Sequence, residues 1–597
     1  MCNGPHDVSR PNPWPNQSMI RSAVPRSLRA FALLALATLA PPALAAQATK
    51  ELPLKYVGPA TSAPITAGDL MTRLYKFADD SMMGRAVGTE YNNMGTAYIE
   101  SEVRKFGLKP GGDNGTYFQN LPLYLRALDT TSTITVDGQT FKAGVNFLAN
   151  SAGRTPNSLT GLPVLYLGTQ FDSAHVPTVE MVKGKVVVVR PFIPGPGFNQ
   201  GALVSSSYFK AWQQAIPQAA GVITIVPAIP PQAVTNAVNP TNVVFLSQPT
   251  ARIAMQVTDA AAQAILGGPV ASATAGAAGK PIASNIRFID TPKQLGRNVV
   301  AILEGSDPKL KGQYVAIGAH NDHVGFSTRP VEHDSVKAFM SIVRPQGADN
   351  PPVQATAEQV AQVRAMTDSL RKLHGGARLD SIFNGADDDG SGSVSVLEVA
   401  EAFAKGKVKP KRSIIFVWHA GEERGLWGSE YFTDNPTVPR DSIVAQLNMD
   451  MVGRGRATDA TGVAKEGGLL HGGAGYLQLV GSRRLSTELG DLIETVNTEA
   501  KLGFKFDYGI DADGHPQNIY CRSDHYEYAR YGIPVVFMTT GGHADYHQVT
   551  DEPQYIDYSH MADVGKLVFD SAVKVANLDH RIVVNKPKPD PKGVCVQ

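Results

Sequence analysis

The sequence predicts an α/β protein with a mixed, mostly parallel central sheet, helices on both faces of that sheet, and an inserted β-rich domain. Three observations carry this. After Asn298, short apolar runs at 299–303, 314–317, 414–417, 444–447 and 535–538 alternate with helical stretches such as 394–403 and 485–496. Strands that are apolar without alternation are those buried on both faces, and their alternation with helices argues for a doubly covered sheet. Nearer the N-terminus, Leu70, Leu74, Phe77, Ala97, Ile99, Val103 and Phe106 recur at helical spacing over 67–107, closed by Gly107 and Pro110. Between about 125 and 295 the texture changes. Runs of β type at 164–167, 185–189, 222–226 and 243–246 are separated by Pro and Gly, with one helix expected around 208–220. That stretch holds only His175 of the 14 histidines, so it reads as a separate, chemically quiet domain.

Composition narrows the function classes. The chain has 597 residues, 43% hydrophobic and 18% charged, which is globular rather than disordered. Formal net charge is +1 with no long basic run, so nucleic acid is not an expected partner. At the N-terminus, Arg21, Arg26 and Arg29 precede an apolar run at 30–40 and then Ala43-Leu44-Ala45. A charged start, a short apolar stretch and an A-x-A end make a secretory signal peptide, with Met19 a plausible start and 1–45 removed. The run is too short to span a bilayer, although an uncleaved anchor is the rival reading. No later segment has 18 uninterrupted apolar residues, so the expected product is exported, periplasmic or secreted, with no stable membrane insertion. Of Cys2, Cys521 and Cys595, the first leaves with the leader. The other two could pair in an oxidising compartment or stay free. Two thiols cannot build a cysteine-rich zinc site, so any metal must use His and carboxylates.

The chemistry gathers at strand ends. The run 314–317 leads into Gly318-Ala319-His320-Asn321-Asp322-His323, and 414–417 into His419-Ala420-Gly421-Glu422-Glu423. The run 444–447 leads into Asn448-Met449-Asp450, and 535–538 into a glycine-rich loop with His543, Asp545, Tyr546 and His547. Ligands of open α/β sheets bind outside the carboxyl ends of the strands. Histidines and carboxylates without thiols suit zinc, manganese or cobalt, and several carboxylates allow two ions to share a bridge. Asp387, Asp389, Ser391 and Glu398 also fit the spacing of an EF-hand calcium loop, though Ser391 is a weak ligand and no paired hand accompanies it. There is no H-E-x-x-H and no G-x-S-x-G.

In order, the motifs are G-A-H-N-D-H at 318–323, N-G-A-D-D-D-G-S-G at 384–392, E-E-R-G-L-W-G-S at 422–429 and N-M-D-M-V-G at 448–453. Ser523-Asp524-His525, Gly532-Ile533-Pro534 and Tyr546-His547 follow. This pattern resembles the di-zinc aminopeptidases of metallopeptidase family 28, over about 65–125 and 296–575. The region around Gly184–Val189 resembles a protease-associated domain. The resemblance implies a zinc-exopeptidase fold, two Zn2+ per chain and peptide substrates. It makes His320, Asp388, Glu423, Asp450 and His547 the metal ligands. Asp388 would bridge, with His320 and Asp450 completing one site and Glu423 and His547 the other. It also implies Glu422 as general base, Asp322 as the carboxylate behind the first site, and Tyr546 as hydrogen-bond donor to the oxyanion. His323, His525 and His543 receive no role. Sequence alone leaves open which of Glu422 and Glu423 is base and which is ligand.

The expected organisation is leader 1–45, first peptidase segment 46–125, β-rich insertion 126–295, catalytic domain 296–580 and tail 581–597. His320 and Asp388 lie 68 residues apart, farther than is usual in the family, so 326–381 is an extra segment. It is expected to contain a helix packed through Val360, Val363, Met366, Leu370 and Leu373, either shaping substrate access or decorating the surface. The favoured activity is removal of N-terminal residues. Carboxypeptidase, glutaminyl cyclase and a non-catalytic receptor of the same fold are the alternatives.

Overall fold

The computed structural model describes residues 52–597, apart from 62–64, 196–197, 199–202, 204–205 and 352. The expected leader, 1–45, lies outside the described residues. Among the described residues, no helix is long and apolar enough to cross a membrane.

Nine strands make the central sheet: β1 (Lys109–Pro110), β2 (Phe118–Asn120), β3 (Arg297–Leu303), β4 (Tyr314–His320), β5 (Ser413–His419), β6 (Ile443–Met449), β7 (Tyr476–Val480), β8 (Lys505–Asp507) and β9 (Val535–Thr539). Their spatial order is β1-β3-β5-β4-β6-β9-β7-β8, with β2 also pairing on β3. β5, β4, β6 and β9 form a parallel centre. β3 and β7 flank it antiparallel.

The apolar runs of the sequence fall at this centre because both faces are covered. Every residue of β5 and β6 is buried. Side chains alternate between two cores, as the period of a strand requires. Val315, Ile317 and Ala319 meet the helices Ala67–Phe77, Glu90–Phe106, Gly392–Lys405 and Tyr558–Asn577. Ala316, Ile415 and Val417 face the other way, toward Phe432 and Tyr528. Local signals set the helix ends. The Thr66 hydroxyl accepts the Asp69 N–H at the start of the first helix. Gly107, at φ 80°, ends the second in the left-handed conformation glycine tolerates best.

The β-rich segment builds its own six-stranded sheet, in the order Ala278–Gly279, Val164–Thr169, Val186–Arg190, Gly221–Val226, Ile253–Thr258, Phe147–Asn150. Its strand Leu123–Leu128 runs across the expected boundary at 125/126 and pairs with Phe288–Lys293. Besides the expected helix, found at Ser207–Ala215, it contains Pro231–Val238 and Asp259–Leu266. Short alanine-rich stretches carry too little apolar periodicity to announce such helices. The segment packs on the catalytic part through Phe245, stacked on Trp427 at 5.8 Å, and through Ser247 donating to Glu430 at 3.1 Å.

The extra segment is a hairpin, Phe326–Glu332 with Leu379–Ile382, enclosing the helices His333–Val343 and Ala357–His374. The expected helix is present, but its packing face is rotated from the expected stripe. Val360 and Leu373 are exposed, Val363, Met366 and Leu370 are half-buried, and Thr367 is buried. Polar anchors turn the helix: Arg371 pairs with Glu332, His374 with Asp334, and Gln359 donates to Ile342 O.

Candidate metal centre

β4 ends at His320. β5 is followed by Gly421, at φ 76°, which turns the chain into the short helix Glu422–Arg424. β6 ends beside Asp450, and the loop after β9 carries Tyr546 and His547, the latter itself in the left-handed region at φ 55°. Asp388 arrives from the loop preceding Gly392–Lys405. Four strand ends and one loop therefore meet at one edge of the sheet.

Two donor groups form there and share Asp388. In the first, His320 Nε2 lies 3.1 Å from Asp388 Oδ1 and 3.6 Å from Asp450 Oδ1. In the second, His547 Nε2 lies 2.9 Å from Asp388 Oδ2 and 3.0 Å from Glu423 Oε2. His323 joins this second group, with Nδ1 at 2.8 Å from Glu423 Oε1. Its signal was present in the sequence, since it directly follows the His320-x-Asp322 pair, but position alone gave it no role. The other two unassigned histidines lie apart from these donor groups. His543 faces Asp387 at 3.1 Å, and His525 is stacked on Phe537 at 4.8 Å.

A pair of cations fits this donor set. His320 Nε2, His547 Nε2 and Asp388 Oδ2 are buried and make no well-aligned hydrogen bond. Nitrogen and carboxylate oxygen donors without thiols are those zinc accepts in hydrolytic sites. Burial alone would lower His547, but Glu423 and Asp388 raise it to about 11. Burial would raise Asp388, but His320 and His547 hold it well below the ordinary carboxylate range.

Surrounding groups fix the ligands. Asp322 Oδ1 accepts the N–H groups of Gly421 and Glu422 at 2.7 and 3.1 Å and lies 3.7 Å from His320 Nδ1. Its carboxylate thus fixes the two-glutamate turn, while its backbone O, 3.1 Å from His320 Nδ1, orients the histidine. Ser523 donates to Asp450 Oδ2 at 2.8 Å. Asp389 accepts from His320 N–H, Gly392 N–H and Met451 N–H, tying three ligand-bearing segments together. Asp551 accepts the N–H groups of Asp387 and Asp388. From the N-terminal part, buried Arg85 donates to Asn384 O and Gly385 O at 2.7 and 2.8 Å, bracing the loop that leads to Asp388.

The EF-hand alternative does not survive this arrangement. Asp387 and Asp389 are spent on backbone N–H groups, Ser391 donates to Asp387 O, and Glu398 pairs with Arg73 at 2.5 Å.

Glu422 lies beside the first group, its Oε2 3.9 Å from His320 Nε2. Burial first, then Asp450 and Glu423, pushes its carboxyl well above the ordinary glutamate range. Tyr546 lines the same cavity as Glu422, Asp388 and Asp450, its ring stacked on His547 at 4.0 Å.

Against known proteins, residues 298–572 match the model of "Peptidase family M28". Leucine aminopeptidase 1 of Aspergillus fumigatus is 28% identical over 202 residues, 32% of this chain and 47% of that protein. Leupeptin-inactivating enzyme 1 of Streptomyces exfoliatus is 42% identical over 84 residues, 14% of this chain and 19% of that protein. The chain thus spans less than half the length of these relatives. Among solved structures, the aminopeptidase from Aneurinibacillus sp. strain AM-1 is 14% identical with a TM-score of 0.41, covering 88% of this chain and 98% of its own. Glutaminyl cyclase from Porphyromonas gingivalis is 23% identical with a TM-score of 0.29, covering 47% and 78%. The matched stretch contains all five residues expected to bind metal, so over residues 298–572 this chain is similar to peptidase family M28 in the part that carries the site.

Proposed function

We propose that this protein is an exported di-zinc aminopeptidase that removes N-terminal residues from peptides. The observation that carries this is Asp388, whose two oxygens face two different histidines beside a cavity that also holds Glu422. His320, Asp388 and Asp450 would hold one ion; Asp388, Glu423 and His547 the other, with His323 steadying Glu423. Those residues would hold zinc, whose Lewis acidity would serve to polarise the scissile carbonyl and acidify a water molecule. Glu422 takes the proton of the attacking water and returns it to the leaving amine. Tyr546 donates its phenolic proton to the oxygen on which charge develops. Asp322 keeps His320 and the Glu422 backbone in place throughout.

The charge of the cavity supports the amino end of the substrate. Its lining includes Asp349, Asp388, Glu422 and Asp450, and the cation among the lining residues is Arg522. Both Arg522 Nη groups are held by Asp349, at 3.1 and 3.0 Å. A carboxypeptidase needs an unengaged cation for the terminal carboxylate, and Arg522 is already paired. The Cys521–Cys595 disulfide supports an oxidising compartment and hence export. Sequencing the exported chain should find Ala46 at its start.

The test is a panel of aminoacyl reporters, free and N-blocked, with chelator and then zinc added. The expected result is turnover of the free substrates alone, abolished by chelator and restored by zinc. Turnover of blocked peptides from the carboxyl end, or cyclisation of N-terminal Gln with release of ammonia, would defeat the proposal.

A further inference from the structure

The extra segment 326–381 grips the loop that carries Tyr546 and His547. At one end, Lys337 Nζ donates to Asp545 Oδ2 at 2.5 Å, and Arg454 binds the same oxygen at 2.9 Å. Beyond the other end, His333 Nε2 and Arg378 Nη2 reach Glu552 Oε2 at 2.8 and 2.7 Å. In the middle, Ala348 N–H donates to Tyr546 O at 3.1 Å. Gly347 lies so close that a Cβ there would sit 2.5 Å from Tyr546 O and 2.9 Å from His543 O, and its φ of +57° also favours glycine. A segment that merely decorated the surface would not need so close an approach to this loop.

The same short turn, Gly347–Asp349, sends one side chain into the cavity. Asp349 holds Arg522 with both carboxylate oxygens, and Arg522 Nη2 donates to the Tyr546 hydroxyl oxygen at 3.3 Å. Bidentate pairing fixes the plane of a guanidinium as well as its position. With an Arg522 N–H on one lone pair of the Tyr546 oxygen, the phenolic proton is directed elsewhere, and the cavity lies on the open side. Without Asp349, Arg522 would be drawn toward the carboxylates Glu422 and Asp450 that line the same cavity.

We propose that the extra segment is a built-in clamp for the oxyanion donor, with Asp349 and Arg522 as positioning residues that act through Tyr546. This rests on the hydrolytic reading given above. It supplies a task for the 326–381 segment and ties catalytic efficiency to a part of the chain that holds none of the five expected ligands.

The test is a double-mutant cycle with an independent structural readout, all on zinc-loaded full-length protein. Loss of one oxyanion donor costs about 10²–10³-fold in turnover, and a misplaced donor costs less. Asp349→Asn should therefore lower kcat by about tenfold, with KM and the content of two ions unchanged. Arg522→Lys should do the same, because an ammonium keeps the charge but loses the fork. Asp349→Glu should recover part of the loss. In a Tyr546→Phe background, Asp349→Asn should cost nothing further, since residues acting through one group are not additive. Amide exchange over 543–548 should quicken in Asp349→Asn and stay unchanged over β4 and β5. Additive losses in the cycle, or exchange over 543–548 identical to the parent, would overturn the clamp. If the parent turns over no aminoacyl substrate, the hydrolytic reading fails while the exchange measurement still decides whether Asp349 holds the loop.

Discussion

Glu422 and Glu423 leave the same short turn, Glu422–Arg424, yet meet different neighbours. Glu423 lies within 3.0 Å of His547 and 2.8 Å of His323, which suits a ligand, while Glu422 stands 3.9 Å from His320. Glu422→Gln keeps the side chain's shape and removes the proton acceptor. It should retain both ions and lower kcat by about 10²–10⁴-fold with little change in KM. Glu423→Gln should instead lose one ion by elemental analysis and regain part of its activity with excess zinc. Asp388→Asn should cost both ions, because its two oxygens serve both groups; retention of two would refute the bridge. His320, Glu423, Asp450 and His547 were legible because they lie at or after the ends of buried apolar runs; Asp388, in the loop before Gly392–Lys405, was legible only through the family pattern. Which glutamate does what was not legible. Neighbours in an extended chain point apart, and only the left-handed Gly421 and the turn after it bring both to one metal centre. His323 was missed for the same reason: its part depends on where Glu423 and His547 end up.

At the scale of elements, the five central strands β3, β4, β5, β6 and β9 were legible, the outer strands β1, β2, β7 and β8 were not, and the extra segment was only half so. Buried strands announce themselves through unbroken apolar runs. The helix Ala357–His374 announced its existence but not its packing face, which is set by ion pairs such as Arg371–Glu332 that no hydrophobic stripe encodes. These pairs make the docking of the segment sensitive to acid. Burial would raise the Glu552 carboxyl, but His333 and Arg378 hold it down to about 2, against an ordinary value of 4.5. A carboxyl whose folded value is depressed contributes stability above its unfolded value and loses it as pH falls through the folded one. The window is therefore about pH 4.5 down to 2, and a depression of that size corresponds to about 3 kcal/mol. Amide exchange over 326–381 should accelerate across that window. Glu552→Gln should flatten that acid dependence and start from a less stable docking at pH 7. An unchanged pH dependence in Glu552→Gln would show that another group controls the docking.

Across the whole molecule, distant parts of the chain are fastened around the cavity. The N-terminal Arg85 braces the loop before Asp388, and the C-terminal residues brace the opposite wall. Gln597 Nε2 donates to Ile510 O at 2.6 Å, its Oε1 accepts the Tyr520 N–H at 2.9 Å, and its backbone O accepts the Gly514 N–H at 2.8 Å. The Cys521–Cys595 disulfide joins the two segments across a sequence separation of 74. The wall so fastened includes Ile510, Gln517, Ile519 and Arg522 of the cavity. From sequence, two cysteines could only be said to be able to pair; their meeting depends on the tail returning to the sheet edge after the last helix. A crosslink over a loop of this length restricts the unfolded chain and is worth about 4 kcal/mol in the chain-entropy account. Cys595→Ser should therefore lower unfolding stability in denaturant by about 2–4 kcal/mol. Dithiothreitol should bring the parent down to the same midpoint and leave Cys595→Ser where it is. Metal content should stay at the parent's value, because His320, Asp388, Glu423, Asp450 and His547 all lie outside 510–522 and the tail. KM should rise, since the wall that receives the substrate loses its fastening while Glu422 and the ligands keep theirs. If dithiothreitol lowers the midpoint of Cys595→Ser as much as that of the parent, the effect does not come from this disulfide.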